Sequence, residues 1–144
     1  SDHLIMSWDS YLDNLVAQSK DASGTAHCDR AVIIGIDGSK WTTDGHANAF
    51  KLELTECANI AKCFKTKKFD DFMANGVIAE GKKYNFLRVE DDKLVLAKKK
   101  DFGSITAQAS KTAVVIGHCA EGGQQGNLNK AVAVIADYLE SLGM

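Results

Sequence analysis

The stretch that decides the fold is residues 76–117, GVIAEGKKYNFLRVEDDKLVLAKKKDFGSITAQASKTAVVIG. It contains short runs rich in β-branched and aromatic residues, separated closely by Gly, Asp and Ser, and this pattern predicts an antiparallel meander. The predicted strands fall at residues 76–79, 84–89, 94–97, 105–109 and 112–117. The turn residues stand between them at 80–81, 91–92, 101–103 and 110–111.

Upstream of the meander, residues 31–36 form another apolar run, AVIIGI, which Asp37 and Gly38 close. Its β-branched residues predict a central strand that ends in a turn, and residues 41–43 are candidates for its hairpin partner. Between residues 48 and 62, apolar residues recur at the spacing of one helix face, which predicts a helix over that range.

The two ends of the chain carry helical periodicity. Apolar residues at 8, 11, 12, 15 and 16 predict a helix over about residues 8–19, with Ser7 as its N-cap and Asp9 favourable in its first turn. After the glycine-rich residues 121–126, an apolar stripe predicts a last helix over residues 127–142. Helices at both ends of an antiparallel sheet give an α+β fold, in which helices pack on a central meander.

Length and composition limit the class of protein. The chain has 144 residues and a mass of 15.5 kDa, with 45% hydrophobic and 25% charged residues. These values predict one domain with a sizeable core and exclude disordered, collagen-like and coiled-coil proteins. No apolar run approaches the roughly 18 residues that span a bilayer, and residues 1–7 lack the segments of a signal peptide, so we expect a soluble, intracellular protein. Residues 1–5 look like an expression remnant before a native start at Met6, which leaves residues 6–144 as the domain.

The sequence carries no recognisable catalytic or metal motif. The cysteines fit no zinc or CxxC spacing and predict free thiols, and four scattered histidines do not supply the convergent ligands that a metal needs. A nucleophile elbow, a P-loop and a dinucleotide-binding glycine motif are also missing. We therefore expect no metal, no bound cofactor and no enzymatic activity. A site at His118 and Cys119, where an imidazole neighbours a thiol, is the catalytic alternative.

Charge is uneven along the chain although the net charge is only −2. Residues 1–61 hold 4 basic and 9 acidic residues. Residues 62–100 hold 11 basic and 6 acidic residues, and residues 101–144 hold 2 basic and 4 acidic residues. The isoelectric point near 6.0 argues against a dedicated nucleic-acid-binding module. The basic middle instead leaves an acidic protein or a lipid headgroup as partner.

Aromatic residues stand at the edges of the terminal helices. At 100° per residue, Tyr11 and Tyr138 each lie about 60° from the apolar stripe of their own helix. If the two helices pack side by side, Trp8, Tyr11 and Tyr138 converge and Trp41 can join them. Flat rings with exposed donors suit a proline-rich peptide, whose extended helix is ordered before it binds. The alternative is that these rings belong to the ordinary core.

Two basic clusters account for the positive middle: Lys82-Lys83 with Arg88, and residues 98–100. Regular alternation along a strand puts Lys83 and Arg88 on opposite faces, so a joint role requires a bend or a strand end. The alternative is a solvated face that binds no partner.

Together these residues resemble the profilin family of small actin-monomer-binding proteins, over essentially all of residues 6–144. The resemblance rests on SWDSYLDNL at 7–15, on NG at 75–76 followed by GKKY at 81–84, and on ADYL at 136–139. It implies that the terminal helices pack side by side on one face of the sheet, with smaller helices on the other. It also implies that proline-rich segments bind at Trp8, Tyr11, Asn14, Trp41 and Tyr138.

The resemblance implies two further sites. Monomeric actin is expected to bind at Lys83, Arg88, Gly126, Asn129 and Lys130. Phosphoinositide headgroups are expected to bind an overlapping basic set, namely Lys82, Lys83, Arg88, Lys98, Lys99 and Lys100. This chain departs from many animal relatives at Gln124-Gln125, where they have His-Gly, and at Val134, which replaces an acidic contact.

The implied function is that of a monomeric, cytoplasmic adaptor of the actin cytoskeleton. It would sequester or deliver actin, promote nucleotide exchange on it and dock proline-rich proteins, without a bound cofactor. The alternative function is a phosphoinositide-binding regulator with weak or no actin binding.

Overall fold

An antiparallel sheet with helices on both faces organises the chain. The computed structural model describes residues 8–144, so the N-cap predicted at Ser7 lies outside the described residues. Within that range the elements run α1 (Asp9–Gln18), β1 (Arg30–Gly35), α2 (Leu54–Thr66), α3 (Asp70–Asn75), β2 (Val77–Ala79), β3 (Lys82–Glu90), β4 (Leu94–Lys99), β5 (Gly103–Ala109), β6 (Ala113–Cys119) and α4 (Gln125–Ser141).

The sheet has the strand order β1-β6-β5-β4-β3-β2, and every neighbouring pair is antiparallel. Strands β2 to β6 follow one another through short turns, which confirms the predicted meander. Asp91, Asp92 and Asp101 adopt positive φ in these turns. Asp tolerates this left-handed conformation because its short side chain can bond to nearby backbone groups.

The strand that was predicted to be central, β1, lies instead at an edge of the sheet. The chain that follows covers its outer side. The backbone N–H of Ala31 donates to Asn48 O at 2.8 Å, and the N–H of Phe50 donates to Ala31 O at 2.8 Å. The hairpin partner predicted at residues 41–43 is not a strand, and the antiparallel bridge there joins Ile34 to Lys40. Other backbone segments thus satisfy the edge without a further strand.

Hydrophobic cores lie on both faces of the sheet. Helices α1 and α4 pack together on one face, against Ala31 and Ile33 of β1. Helices α2 and α3 cover the other face, against Val32 and Ile34 of the same strand. Burial on both faces explains the continuous apolar run of β1. The arrangement confirms the predicted α+β fold, although α2, with 13 residues, is longer than α1 with 10.

The helix predicted over residues 48–62 begins later than expected, at Leu54, and continues to Thr66. Phe50 and Leu52 are both buried, two residues apart as in an extended strand, and residues 48–53 are not helical. The start of α2 is fixed by Glu56, whose carboxylate accepts the backbone N–H of Glu53 at 2.9 Å. This contact is one half of a capping box, whose other half joins the Glu53 side chain to the backbone N–H of Glu56. The six-residue α3 was not predicted, because one and a half turns give too short a periodic pattern.

A glycine in β6 sets how closely α4 approaches the sheet. A Cβ atom at Gly117 would lie 2.6 Å from Leu128 Cδ1 and 3.0 Å from Val132 Cγ2, both on α4. The absence of a side chain therefore lets α4 pack directly on β6. The last predicted helix is confirmed, and it begins at Gln125.

Candidate binding surfaces

Four aromatic rings form a continuous row that joins α1, α4 and the loop after β1. Trp41 lies 4.7 Å from Trp8, Trp8 stacks on Tyr11 at 5.1 Å, and Tyr11 lies 6.4 Å from Tyr138, measured between ring centroids. The first three rings are partly buried against the core beneath α1 and α4, whereas Tyr138 is 51% exposed. We call this row the aromatic shelf. Three of its rings pack against the core, as the core interpretation of the aromatics predicts, and the shelf still presents a surface, as the peptide-binding interpretation predicts.

Hydrogen bonds between α1 and the loop after β1 hold the shelf together. The backbone N–H of Thr43 donates to Asp9 Oδ1 at 2.8 Å, and the Thr43 hydroxyl donates to the other carboxylate oxygen. Burial of the Asp9 carboxyl opposes its ionisation, but the bonds from Thr43 outweigh this and lower its pKa. One helical turn later, His46 Nε2 pairs with Asp13 Oδ1 at 2.8 Å. These contacts keep the loop, and with it Trp41, beside α1.

The phenol of Tyr11 lies within the row. Burial, together with the neighbouring phenol of Tyr138, raises the pKa of Tyr11, so this side chain stays a neutral hydrogen-bond donor. Asn14, three residues later, lies on the same side of α1 and is exposed. The structure therefore places all five residues predicted for proline-rich binding on or beside the shelf.

A β-bulge in β3 decides where Lys83 and Arg88 point. The pairing with β4 shifts between Phe86 and Arg88, so that Leu87 is an extra residue in the strand. Phe86 and Val89 both pack on the core beneath α2 and α3, which puts Lys83 and Arg88 together on the opposite face. Both side chains are exposed. The bulge therefore supplies the bend that Lys83 and Arg88 require if they are to contact the same partner.

The start of α4 lies beside this face of the sheet. In the strand pairing, Arg88 stands opposite Leu96, and Leu96 stands opposite Thr106. The Thr106 hydroxyl donates to Asn129 Oδ1 on α4. Two strand spacings of about 4.8 Å therefore separate the backbone at Arg88 from the strand that contacts Asn129. We call the surface that holds Lys83, Arg88 and Asn129 the basic face. Gly126 and Lys130 stand three residues before and one residue after Asn129 on α4, and Lys130 also lines a cleft with Lys20 and Asp21 after α1.

The other lysines predicted to bind phosphoinositides lie at or near the end of the β4–β5 hairpin. Lys82 Nζ and Lys99 Nζ lie 5.2 and 5.3 Å from the ring centroid of Phe102. Sequence reasoning missed Phe102, and the signal for it is an aromatic residue inside a turn that follows three lysines. We call this group the lysine tip; its residues are Lys82, Lys98, Lys99, Lys100 and Phe102.

The alternative catalytic site has no suitable geometry. His118 is 1% exposed; its Nδ1 contacts Asp29 Oδ1 at 2.6 Å and its Nε2 donates to Phe102 O at 2.6 Å. The thiol of Cys119 contacts Ala120 O instead of the imidazole, and burial raises its pKa. In residues 8–144 no group of three or more His, Cys, Asp or Glu side chains is placed to hold a metal.

The helices of the described chain are too short or too polar to cross a membrane, and none qualifies as a span.

The family described as Profilin matches residues 6–144. A profilin of Clypeaster japonicus is 76% identical over 140 residues, which cover 96% of this chain and 100% of that protein. The structure of Schizosaccharomyces pombe profilin is similar with a TM-score of 0.75 and 28% identity, covering 96% of this chain and 100% of that one. Mouse profilin IIa, in complex with a double repeat from the FH1 domain of mDia1, shares the fold with a TM-score of 0.68 and 24% identity, over 96% of this chain and 100% of that one.

Proposed function

This chain belongs to the profilin family, and on that premise we propose that it is a two-sided adaptor for monomeric actin and proline-rich proteins. The observation that carries the proposal is the separation of two surfaces on one helix. Asn129 of the basic face lies near the start of α4, and Tyr138 of the aromatic shelf lies near its end. Nine residues at 1.5 Å each put them about 14 Å apart along the axis, so two partners can bind together.

The shelf suits a proline-rich segment. A polyproline II helix loses little entropy on binding, offers flat pyrrolidine rings and leaves its carbonyl oxygens free to accept hydrogen bonds. The half-exposed ring of Tyr138 supplies contact area and a phenol donor. Mouse profilin IIa is known with a double repeat from the FH1 domain of mDia1, and we expect this chain to bind segments of that kind through Trp8, Tyr11, Asn14, Trp41 and Tyr138.

The basic face suits actin. Profilins are actin-binding proteins rather than enzymes, and we assign the actin contact to Lys83, Arg88, Gly126, Asn129 and Lys130. An adaptor bound there sequesters or delivers the monomer. It speeds nucleotide exchange when it binds the open state of the actin cleft more tightly than the closed state. Gln124-Gln125 and Val134, of which Val134 is 40% exposed, are the positions at which we expect this surface to depart from many animal relatives.

Phosphoinositide headgroups are the third proposed partner. The lysines of the lysine tip, with Lys83 and Arg88, form a basic surface that overlaps the actin contact, so lipid and actin compete for it. The same observation favours the second candidate function, a phosphoinositide-binding regulator with weak or no actin binding. In either case we place the protein at the actin cytoskeleton of the cytoplasm as a monomer that needs no cofactor.

The first test is a titration with a proline decamer, followed by tryptophan fluorescence. We expect saturable binding that Tyr138→Ala weakens about tenfold, because roughly half of a large aromatic surface is lost from the contact. Trp8→Ala is expected to abolish the saturable change in tryptophan fluorescence. Met73→Ala removes a side chain that is 61% exposed on α3, under the other face of the sheet, and serves as the matched control. Equal affinities for the control and Tyr138→Ala would reject the shelf as the binding site.

Fluorescence anisotropy with labelled actin monomers tests the other surface. The adaptor requires binding in the micromolar range and a ternary complex with the proline decamer. Vesicle binding that is lost when residues 98–100 are changed to Glu, without any actin binding, would support the regulator instead.

A further inference from the structure

The aromatic ring of the lysine tip is exposed where charged side chains converge. Phe102 is 41% exposed, and the ammonium groups beside it come from two hairpins, Lys82 from β3 and Lys99 from β4. Each ammonium group is attracted to the ring, but the two like charges repel each other. A negatively charged group bound between them would relieve this repulsion.

Charge at the tip is strongly one-sided. Residues 82–83 and 98–102, which comprise the four lysines of the tip and the adjacent Lys83, hold one acidic residue, Asp101. These are five lysines in all. Across residues 8–144, the ion pairs involve none of these five lysines. Their positive field therefore remains available to an anionic surface.

The backbone holds Phe102 in place before any partner arrives. Its N–H donates to Lys99 O at 3.0 Å, and its carbonyl accepts from His118 Nε2 at 2.6 Å. The next residue, Gly103, has φ +99°, and a Cβ there would lie 2.0 Å from Cys119 O. The hairpin end is thus packed against β6 in a conformation that favours glycine. Because the backbone that carries the ring is already fixed, binding orders only the side chain, which keeps the loss of conformational entropy small.

We infer that Phe102 is an apolar anchor that enters the interfacial region of an anionic bilayer while the surrounding lysines contact headgroup phosphates. An exposed aromatic ring flanked by two lysine ammonium groups fits such an interface, which is apolar below and anionic above. The inference rests on the proposed phosphoinositide binding and specifies its partner as the bilayer rather than the free headgroup.

The test compares wild type, Phe102→Ser and Leu54→Ser for binding to phosphatidylcholine vesicles that contain phosphatidylinositol bisphosphate, and to soluble inositol trisphosphate. Leu54 is 69% exposed on α2 and is the matched control. The exposed part of the phenyl ring is roughly 80 Å², which corresponds to about thirtyfold in affinity if fully buried, so partial insertion predicts a loss of about tenfold for Phe102→Ser. The loss should persist at high salt, where the lysine contribution fades.

The outcomes separate the inference from the function on which it rests. Weaker vesicle binding by Phe102→Ser, with unchanged binding of inositol trisphosphate, supports the anchor. Equal vesicle binding by Phe102→Ser and wild type overturns the anchor and leaves the proposed headgroup site intact. Inositol trisphosphate bound as tightly as vesicles also overturns it. Absence of wild-type vesicle binding overturns both the anchor and the proposed lipid function.

A second variant guards against a folding defect in Phe102→Ser. Phe102→Trp keeps an aromatic ring that prefers the membrane interface. We expect it to bind vesicles at least as well as wild type. Brominated acyl chains should quench its fluorescence more than they quench wild type, which contains Trp8 and Trp41. Quenching equal to that of wild type would contradict insertion of residue 102.

Discussion

A methyl group added at Gly35, the last residue of β1, is expected to displace Trp41 from the aromatic shelf. A Cβ there would lie 2.4 Å from Asp37 Oδ1, 2.7 Å from Ser39 Oγ and 2.8 Å from Trp41 Nε1. All three are side-chain atoms that can move. Gly35→Ala should therefore fold, with the side chains of this turn pushed outward.

The magnitude follows from the bonds that these side chains make. Asp37 Oδ1 accepts from Ser39 N at 3.0 Å and from Ser39 Oγ at 2.6 Å, and both bonds lower the pKa of Asp37. Ser39 Oγ accepts in turn from Trp41 Nε1 at 3.2 Å. Water can replace these three exposed bonds, and Ala also lowers the conformational entropy of the unfolded chain, so the free energy of unfolding should change little.

Peptide affinity should fall more visibly than stability. Moving Trp41 away from Trp8 removes one end of the shelf, for which we expect about a tenfold loss in affinity for the proline decamer. The assay is the fluorescence titration, combined with urea unfolding of the same variants. Gly45→Ala is the control, because a Cβ at Gly45, in the same loop, would meet only Thr43 Oγ1 at 3.8 Å. If Gly35→Ala binds the peptide as tightly as Gly45→Ala, the turn does not position Trp41 and the reasoning fails.

Three further predictions concern the basic face, the buried thiols and the core. Lys83→Glu and Arg88→Glu should each weaken actin binding at least tenfold in anisotropy titrations, whereas Lys111→Glu, at the β5–β6 turn, should not; equal effects of all three would mean that only net charge matters. Burial, and then the charge of Asp29, raises the pKa of Cys28 to about 12. The unfolded thiol has a pKa of about 8.5, so the stability linked to the protonated thiol is complete below that pH. This stability is lost as the pH rises toward about 12, because the unfolded chain ionises first. Urea midpoints measured above about pH 8.5 should therefore fall more steeply for wild type than for Cys28→Ala. Leu15→Ala, at a fully buried position beneath the shelf, should lower the free energy of unfolding by about 3 kcal/mol in urea titrations, and a loss below 1 kcal/mol would contradict the packing of α1 on α4.

Local sequence predicted the elements well where their pattern was long and regular. The meander, α1 and α4 follow from periodicity, because alternation and turn residues act within a few positions of one another. The errors arise where a distant segment determines the local structure. Phe50 and Leu52 fall within the range predicted to be helical but are extended, because the backbone of residues 48–50 hydrogen-bonds to the open edge of β1. The apolar run of β1 indicates two buried faces, and it cannot distinguish a central strand from an edge that loops cover.

The sequence by itself determined which residues are aromatic, basic or apolar, and the periodicity that makes them a sheet with terminal helices. Only the tertiary structure decided which of them meet. The bulge at Leu87 turns Arg88 to the face of Lys83, and a single extra residue of this kind leaves no mark on a pattern of alternation. Trp41 reaches Trp8 across more than thirty positions because hydrogen bonds from Thr43 and His46 tie its loop to α1. Such contacts depend on how the helices and strands pack in space, and sequence periodicity does not record them.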